Sequence, residues 1–164
     1  MMTKIWGPPG WLFLHTVTMG YPEVIDDSNP NHTLKKENMK IFFTSLGHTL
    51  PCELCCKSYQ DFIQEIPIDD VVLSSRKSLA KWFYDIHNKV NGKLRKQGHI
   101  KYPNPSYEEV YQSYESDPYK DICLLGTCFL KSIIYNFPEK GDDERLKLMY
   151  YSFFNLFIDI YPNT

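Results

Sequence analysis

Apolar residues recur along this chain at intervals of three and four, whereas runs in which apolar and polar residues strictly alternate are nearly absent. Proline and glycine divide the chain into segments of helical length. The pattern therefore predicts an all-α fold. The predicted helices span about 9–19, 34–50, 52–66 and 77–96, followed by a short helix that begins near 107 and two more over 121–136 and 143–160.

Two of these helices carry a continuous apolar stripe. At about 100° per residue, the apolar positions of the fourth helix fall within an arc of about 120°, so we expect that arc to be buried. Gly98, just beyond this helix, is a candidate C-terminal cap, and Ser106 is a candidate N-cap for the short helix. The stripe residues are Met39, Phe42, Phe43 and Leu46 on the second helix, and Leu79, Trp82, Phe83, Ile86, Val90 and Leu94 on the fourth.

Composition narrows the class of protein. The 164 residues suit one domain or a core with a modest appendage, and a hydrophobic fraction of 43% is enough to form that core. Because the net charge is −2 and the charges are interspersed, we expect neither a nucleic-acid partner nor a membrane partner. No secretion signal and no run of about 18 apolar residues is visible, so the expected location is cytoplasmic.

The motif Cys52-Glu53-Leu54-Cys55 places two thiols at the predicted start of the third helix. Unpaired N–H groups at a helix start favour a thiolate, so a reversible redox pair is one interpretation. Two buried thiols, or half of a zinc site, are the alternatives. Zinc needs a second pair of ligands, and the only other close pair, Cys123 and Cys128, has a four-residue gap and apolar neighbours that are atypical of zinc sites.

Imidazole and aromatic side chains border the apolar stripes of two predicted helices. His87 and Asn91 lie along one edge of the stripe that contains Trp82, and Trp11 and His15 are four residues apart on the first helix. Such side chains could hold a flat heterocycle by its face and hydrogen-bond its polar rim. The alternative is a core-facing helix whose histidine and asparagine meet backbone groups.

In their order and spacing, these segments resemble the Erv/ALR family of FAD-linked sulfhydryl oxidases, and the versions encoded by large DNA viruses more than the mitochondrial ones. The resemblance covers about 6–96. It rests on the stretches WLFLHT at 11–16 with Tyr21-Pro22, PCELC at 51–55, the segment 75–82, and HNKVN at 87–91.

The resemblance implies a four-helix bundle with a short fifth helix and a C-terminal helical extension, which binds FAD non-covalently as a homodimer. Residues 1–115 would form the FAD-binding sulfhydryl oxidase domain. Beyond a seam at 116–118, residues 116–164 would be packed on the core or form an interface. The protein would oxidise the dithiols of protein substrates or of a redox carrier protein and pass the electrons through flavin to O2, giving H2O2. Its setting would be the host cytoplasm or the virion.

The same resemblance implies a role for each matched position. Cys52 would exchange disulfides with the substrate, and Cys55 would be the thiol next to the flavin. Lys96 would place a positive charge near the FAD diphosphate. The expected FAD-binding residues are Trp11, His15, Tyr59, Trp82, His87, Asn88, Val90, Asn91 and Lys96, and no metal ligand is expected.

Some positions depart from the family pattern. Pro8 stands where an arginine is common, and Cys56 stands where an alanine often follows the second cysteine. Consecutive helix residues point about 100° apart, so Cys56 cannot replace Cys55 and is expected to be a buried thiol. The segment 97–105 lacks the structural cysteine pair of the family.

Two other functions are alternatives to the thiol oxidase, and a second cysteine pair bears on its mechanism. Many relatives carry a shuttle cysteine pair, but Cys123 and Cys128 would point about 140° apart on a regular helix, so we expect buried thiols there instead. A non-enzymatic helical module with Cys52 and Cys55 as zinc ligands is the alternative to the oxidase. A flavin-free oxidoreductase of the thioredoxin type would need βαβ units, which the pattern does not contain.

Overall fold

The computed structural model describes residues 3–116 and 122–135, together with residues 144, 147, 148, 150–153 and 155. Across these residues the chain forms helices and turns, with one isolated β-bridge between Val24 and Ser75 and no strand. The predicted all-α class is confirmed. The helices are α1 (Thr3–Met19), α2 (Pro30–Thr49), α3 (Glu53–Glu65), α4 (Arg76–Lys96), α5 (Tyr107–Glu115) and α6 (Ile122–Tyr135), and a 3₁₀ turn at Val72–Ser74 precedes α4.

The start of α2 is set by local capping that the sequence prediction overlooked. Asn29 accepts the N–H of Asn31 at 3.0 Å, and Pro30 occupies the first turn, where its missing N–H removes no helical hydrogen bond. The helix therefore begins at Pro30 rather than near 34.

Two predicted caps are confirmed. Gly98 has a φ of 76°, a left-handed conformation that favours glycine, and the N–H of His99 donates to the carbonyl of Leu94 at 2.9 Å. At the start of α5, the Ser106 hydroxyl accepts the N–H of Glu109 at 3.3 Å, while the Glu109 carboxylate accepts the N–H of Ser106 at 2.8 Å. These reciprocal bonds satisfy N–H groups that the helix itself leaves unpaired.

Helix α1 is longer than predicted. It begins at Thr3, not near Pro9, and contains both Pro8 and Pro9. A proline inside a helix removes a hydrogen bond, so the first two turns need support from elsewhere. Tertiary packing supplies this support, because the centroid of the Trp6 ring lies 6.3 Å from that of the Phe129 ring of α6.

The predicted stripe on α2 is buried along its whole length, but the stripe on α4 is not. Leu79, Trp82, Phe83 and Ile86 are buried, whereas Val90 and Leu94 are only half-buried. The prediction is wrong for these last two positions. Helix α1 covers α4 near Phe83 and His87, whereas the final turns of α4 meet polar side chains of α3 at their edge and the loop that follows α4.

Part of the C-terminal segment shares this core. Phe129 and Ile133 of α6 are fully buried, and the Phe153 ring stacks on Phe42 of α2 at 5.1 Å. Residues 117 and 118 of the predicted seam at 116–118, and most of the predicted helix over 143–160, lie outside the described residues. The division of the chain at 115 stays a prediction.

The expectation of buried thiols on α6 is wrong for Cys128, which is exposed. Within 126–135, the part of α6 whose burial is described, the buried positions are Gly126, Phe129 and Ile133, three and four residues apart, and Cys128 points about 100° away from Phe129. The side chain of Cys123 lies outside the described residues.

Gly10 allows α6 to approach α1 closely, which leads to a first prediction. A Cβ at Gly10 would lie 3.0 Å from Cδ2 and 3.1 Å from Cε2 of Phe129. We expect Gly10→Ala to lower the free energy of unfolding by about 1–2 kcal/mol, because α6 must shift to admit the methyl group. Urea unfolding followed by circular dichroism measures the change.

Gly92 of α4 is the matched control, since a Cβ there would meet no atom within 4 Å. Gly92→Ala should raise the free energy of unfolding by up to about 1 kcal/mol through helix propensity alone. Equal stabilisation by the two substitutions would contradict the close packing of α6 on Gly10.

Candidate active site

Cys52 and Cys55 form a disulfide at the start of α3, with their Cα atoms 5.1 Å apart. Cys52 is the N-cap of the helix, and its sulfur accepts the N–H of Cys55 at 3.3 Å. The prediction that Cys52 lies at a helix N-terminus is confirmed. The N–H groups there favour a thiolate on Cys52 when the disulfide is reduced.

This disulfide lies at the protein surface beside a third thiol. Cys52 and Cys55 are both half-buried, and so is Cys56, which was expected to be fully buried. The Cys56 thiol donates to the carbonyl of Leu50 at 3.3 Å, and burial raises its pKa. Cys56 therefore stays protonated more readily than an exposed cysteine, which weakens it as a nucleophile.

A pair of neutral histidines joins α1 to α4. His15 Nε2 and His87 Nδ1 lie 3.0 Å apart, so one nitrogen donates a hydrogen bond and the other accepts it. Burial, together with the charge of His87, lowers the pKa of His15 to about 3, and burial lowers the pKa of His87 to about 4. Both rings are therefore uncharged at neutral pH.

Aromatic rings enclose the histidine pair. Trp11 stacks on His87 with ring centroids 3.8 Å apart and planes 5° from parallel, and Phe83 meets the edge of His15 at 4.8 Å. Tyr114 of α5 also stacks on His15, with ring centroids 5.0 Å apart. The structure thus brings together three predicted site residues, Trp11, His15 and His87.

Tyr114 is a site residue that the sequence prediction missed. It follows Tyr107 and Tyr111 at helical spacings of four and three, a pattern that places three tyrosines on one face of α5. This stripe of tyrosines is the sequence signal that could have identified Tyr114 as a site residue.

Asn91 is held by the loop that follows α4. Its side-chain nitrogen donates to Oδ1 of Asn104 at 3.2 Å, and the Arg95 guanidinium donates to the same oxygen. Arg95 also donates from Nε to the carbonyl of Tyr102 at 3.0 Å. The other predicted residues of this end of α4 differ in exposure: Asn88 and Val90 are half-buried, and Lys96 is exposed.

Tyr59 and Trp82 lie in the core behind these residues. The Tyr59 hydroxyl donates to the carbonyl of Phe43 at 2.9 Å, and Trp82 Nε1 donates to the carbonyl of Ile66 at 2.7 Å. Both polar atoms are therefore satisfied by backbone, and burial raises the pKa of Tyr59. Tyr59 lies one turn beyond Cys55 on α3.

A continuous aromatic layer connects the disulfide helix with the histidine pair. Phe83 lies 5.1 Å from Phe43, and Phe43 lies 5.3 Å from Trp82, ring to ring. Since Tyr59 bonds the Phe43 carbonyl and Phe83 contacts His15, α1, α2, α3 and α4 all contribute to this layer.

Residues 9–112 match the model of the Erv1 / Alr family, which is more than half of the chain. The chain belongs to the Erv1/Alr family. The resemblance inferred from the sequence is therefore confirmed. The match contains the disulfide and the histidine pair, whereas Tyr114 and α6 lie beyond it.

Several members of the Erv1/Alr family are similar to this chain. The mimivirus protein named "Probable FAD-linked sulfhydryl oxidase R368" (Acanthamoeba polyphaga mimivirus) is 43% identical over 91 residues, 56% of this chain and 59% of that protein. The mitochondrial FAD-linked sulfhydryl oxidase ERV1 of Saccharomyces cerevisiae is 36% identical over 90 residues, 55% of this chain and 43% of that protein. The 096R protein of Invertebrate iridescent virus 3 is 34% identical over 112 residues, 68% of this chain and 66% of that protein.

The chain thus spans less than two thirds of the length of the mimivirus protein and of yeast ERV1. In the described part of this Erv1/Alr protein, no three His, Cys, Asp or Glu side chains are grouped so as to hold a metal ion. The zinc alternative therefore finds no third ligand beside Cys52 and Cys55 among those residues. Nor is any helix of the described ranges long and apolar enough to cross a membrane.

The neutral histidine pair predicts a loss of stability in mild acid. Unfolded histidines bind protons near pH 6.5, whereas folded His15 and His87 have pKa values of about 3 and about 4. As the pH falls below 6.5, the unfolded state gains protons that the folded state does not. Each ring should lower the free energy of unfolding by about 2 kcal/mol between pH 7 and pH 5.

Urea unfolding of the wild type and of His87→Gln at pH 7, 6 and 5 measures this loss, and the variant should lose roughly half as much between pH 7 and pH 5. His99→Gln, a change at an exposed histidine, is the control and should follow the wild type. A wild-type free energy of unfolding that stays constant over this pH range would rule out a neutral buried pair.

Proposed function

We propose that this Erv1/Alr chain is an FAD-dependent thiol oxidase, which forms disulfides in protein substrates while the electrons reach O2 and yield H2O2. The observation that carries the proposal is the half-exposed disulfide of Cys52 and Cys55 at the N-terminus of α3. A redox-active pair in that position can meet substrate thiols directly. The similarity to proteins named as FAD-linked sulfhydryl oxidases supports the cofactor and the reaction.

The side chains around the histidine pair fit the chemistry of FAD. A flavin needs flat apolar surfaces, hydrogen-bonding groups at its rim and positive charge near its diphosphate. Trp11 stacks in parallel on His87, and the apolar stripe of α4 is partly uncovered at Val90. The residues that would hold FAD are Trp11, His15, His87, Asn88, Val90, Asn91 and Lys96, with Tyr59 and Trp82 in the wall behind them.

Bound FAD supplies a two-electron oxidant for the reduced cysteine pair, and O2 reoxidises it. A substrate thiolate attacks Cys52 Sγ, the bond to Cys55 breaks, and Cys55 leaves as a thiolate. A second substrate thiolate then attacks the mixed disulfide, so that the substrate leaves as a disulfide with two electrons fewer and Cys52 is released as a thiolate. The N–H of Cys55, 3.3 Å from Cys52 Sγ, stabilises that thiolate.

The proposal extends to the organisation and setting of the protein. Residues 1–115 form the FAD-binding domain, and 116–164 form an extension whose buried Phe129 and Phe153 support packing on the core. The protein acts as a homodimer on dithiol proteins or on a redox carrier protein. Similarity to the mimivirus and iridescent virus proteins supports a place in the host cytoplasm or the virion.

Cys55→Ser tests the proposed reaction. The variant should purify with FAD but lose at least about 100-fold in oxygen consumption driven by dithiothreitol, because Cys52 then has no disulfide partner. Cys56→Ser is the matched control and should retain the wild-type rate. The measurements are the visible flavin absorbance and the rate at an oxygen electrode.

Wild-type turnover by Cys55→Ser would refute the role of Cys55. The wild-type protein should be yellow, bleach anaerobically with dithiol, and recover its colour when air is readmitted. A colourless protein with stoichiometric zinc would instead support the zinc-binding module.

Asn104 offers a second test, because its Oδ1 accepts hydrogen bonds from both Asn91 and Arg95. We expect Asn104→Leu to weaken FAD binding about tenfold, about 1.4 kcal/mol, since the Asn91 amide loses the bond that orients it. Asn104→Asp keeps an acceptor oxygen and should bind FAD nearly as the wild type does. Titration of the FAD-free protein by flavin fluorescence gives both dissociation constants, and equal constants for the two variants would contradict this orienting role.

A further inference from the structure

Leu54, between the two cysteines of the disulfide, is strongly exposed. Its relative accessibility is 73%, whereas Cys52 and Cys55 on either side are half-buried. Its backbone is held firmly, because the Leu54 carbonyl accepts the hydroxyl of Ser58 at 2.7 Å within α3. A single exposed leucine is common on protein surfaces, but this one adjoins the sulfur atoms that react with substrate.

Disulfide geometry places a protein substrate within reach of this side chain. In a mixed disulfide with Cys52, the Cα atom of the substrate cysteine lies within about 7 Å of the Cys52 Cα atom. Leu54 is two residues further along the first turn of α3, so its Cα atom is about 5–6 Å from that of Cys52. The residues beside the substrate cysteine can therefore reach Leu54 from the sulfur of Cys52.

The charged neighbours of Leu54 do not favour either sign of charge on the substrate. Glu53 and Lys57 are both exposed on the same turns of α3 and carry opposite charges. The apolar side chain of Leu54 is therefore the feature of this surface that can distinguish one substrate segment from another. An apolar substrate side chain that covers Leu54 removes its own surface and that of Leu54 from water, which is favourable.

We propose that Leu54 is a specificity-determining residue, which selects protein substrates that carry an apolar side chain next to the reacting cysteine. The proposal rests on the thiol oxidase function proposed above. The partner is an extended segment of a reduced protein, whose cysteine thiolate attacks Cys52 Sγ while the bond to Cys55 breaks.

The test uses two dithiol peptides that are identical except for the residue beside the first cysteine, which is Leu in one and Asp in the other. The FAD-loaded protein oxidises each peptide at an oxygen electrode, and the readout is the ratio of the two kcat/KM values. This ratio cancels any change in FAD content or in the redox potential of the cysteine pair within a variant. We expect the wild type to prefer the Leu peptide by about tenfold.

Leu54→Lys should invert the preference towards the Asp peptide, and Leu54→Met should keep the wild-type ratio, since its side chain remains apolar. Leu34→Lys is the control. Leu34 is 56% exposed and lies near the start of α2. The other end of this helix, at Thr49, leads to the disulfide and is roughly 22 Å away along the helix axis. That variant should keep the wild-type ratio.

A ratio near one in an active wild type, or an unchanged ratio in Leu54→Lys, would overturn the role of Leu54 while leaving the oxidase function in place. A shift in Leu34→Lys as large as in Leu54→Lys would overturn it too. If dithiothreitol and both peptides all fail to drive oxygen consumption by the wild type, the proposed function itself fails.

Discussion

The hydrogen bond between His15 and His87 is the contact on which the candidate site depends. It ties α1 to α4 at 3.0 Å and needs at least one uncharged ring, because two imidazolium ions would each present only donors. Burial by Trp11, Phe83 and Tyr114, from three different helices, lowers the pKa values of both rings and keeps them neutral even in mild acid. The aromatic cover and the hydrogen bond therefore maintain each other.

The disulfide and the histidine pair have opposite environments within one molecule. Cys52 and Cys55 lie at the surface on the first turn of α3, whereas His15 is almost fully buried. The buried Tyr59 and Trp82 fasten α3 to α2 and to α4 through backbone carbonyls. The surface disulfide is thus fixed against a buried aromatic interior, an arrangement that would suit the proposed thiol oxidase, which must meet a large substrate on one side and exclude water on the other.

Local signals in the sequence predicted much of this arrangement. Gly98, Ser106 and the N-cap position of Cys52 depend on neighbouring residues alone, and all three are confirmed. The sequence could not predict features that depend on distant contacts. Helix α1 continues through two prolines because Trp6 meets Phe129, and Cys128 is exposed because α6 turns its other face to the core. Tyr114 belongs to the same class, since its position beside His15 depends on how α5 crosses α1.

The packing of α6 on α1 also sets the order in which the chain can fold during synthesis. Helix α1 emerges from the ribosome first, yet Phe129, which covers Trp6, Gly10 and Phe13, emerges more than a hundred residues later. Contacts between such distant positions form slowly because a long loop must close first. The part of α1 that packs on Phe129 therefore stays uncovered until α6 has been made, and this surface of the nascent chain is open to aggregation during that interval.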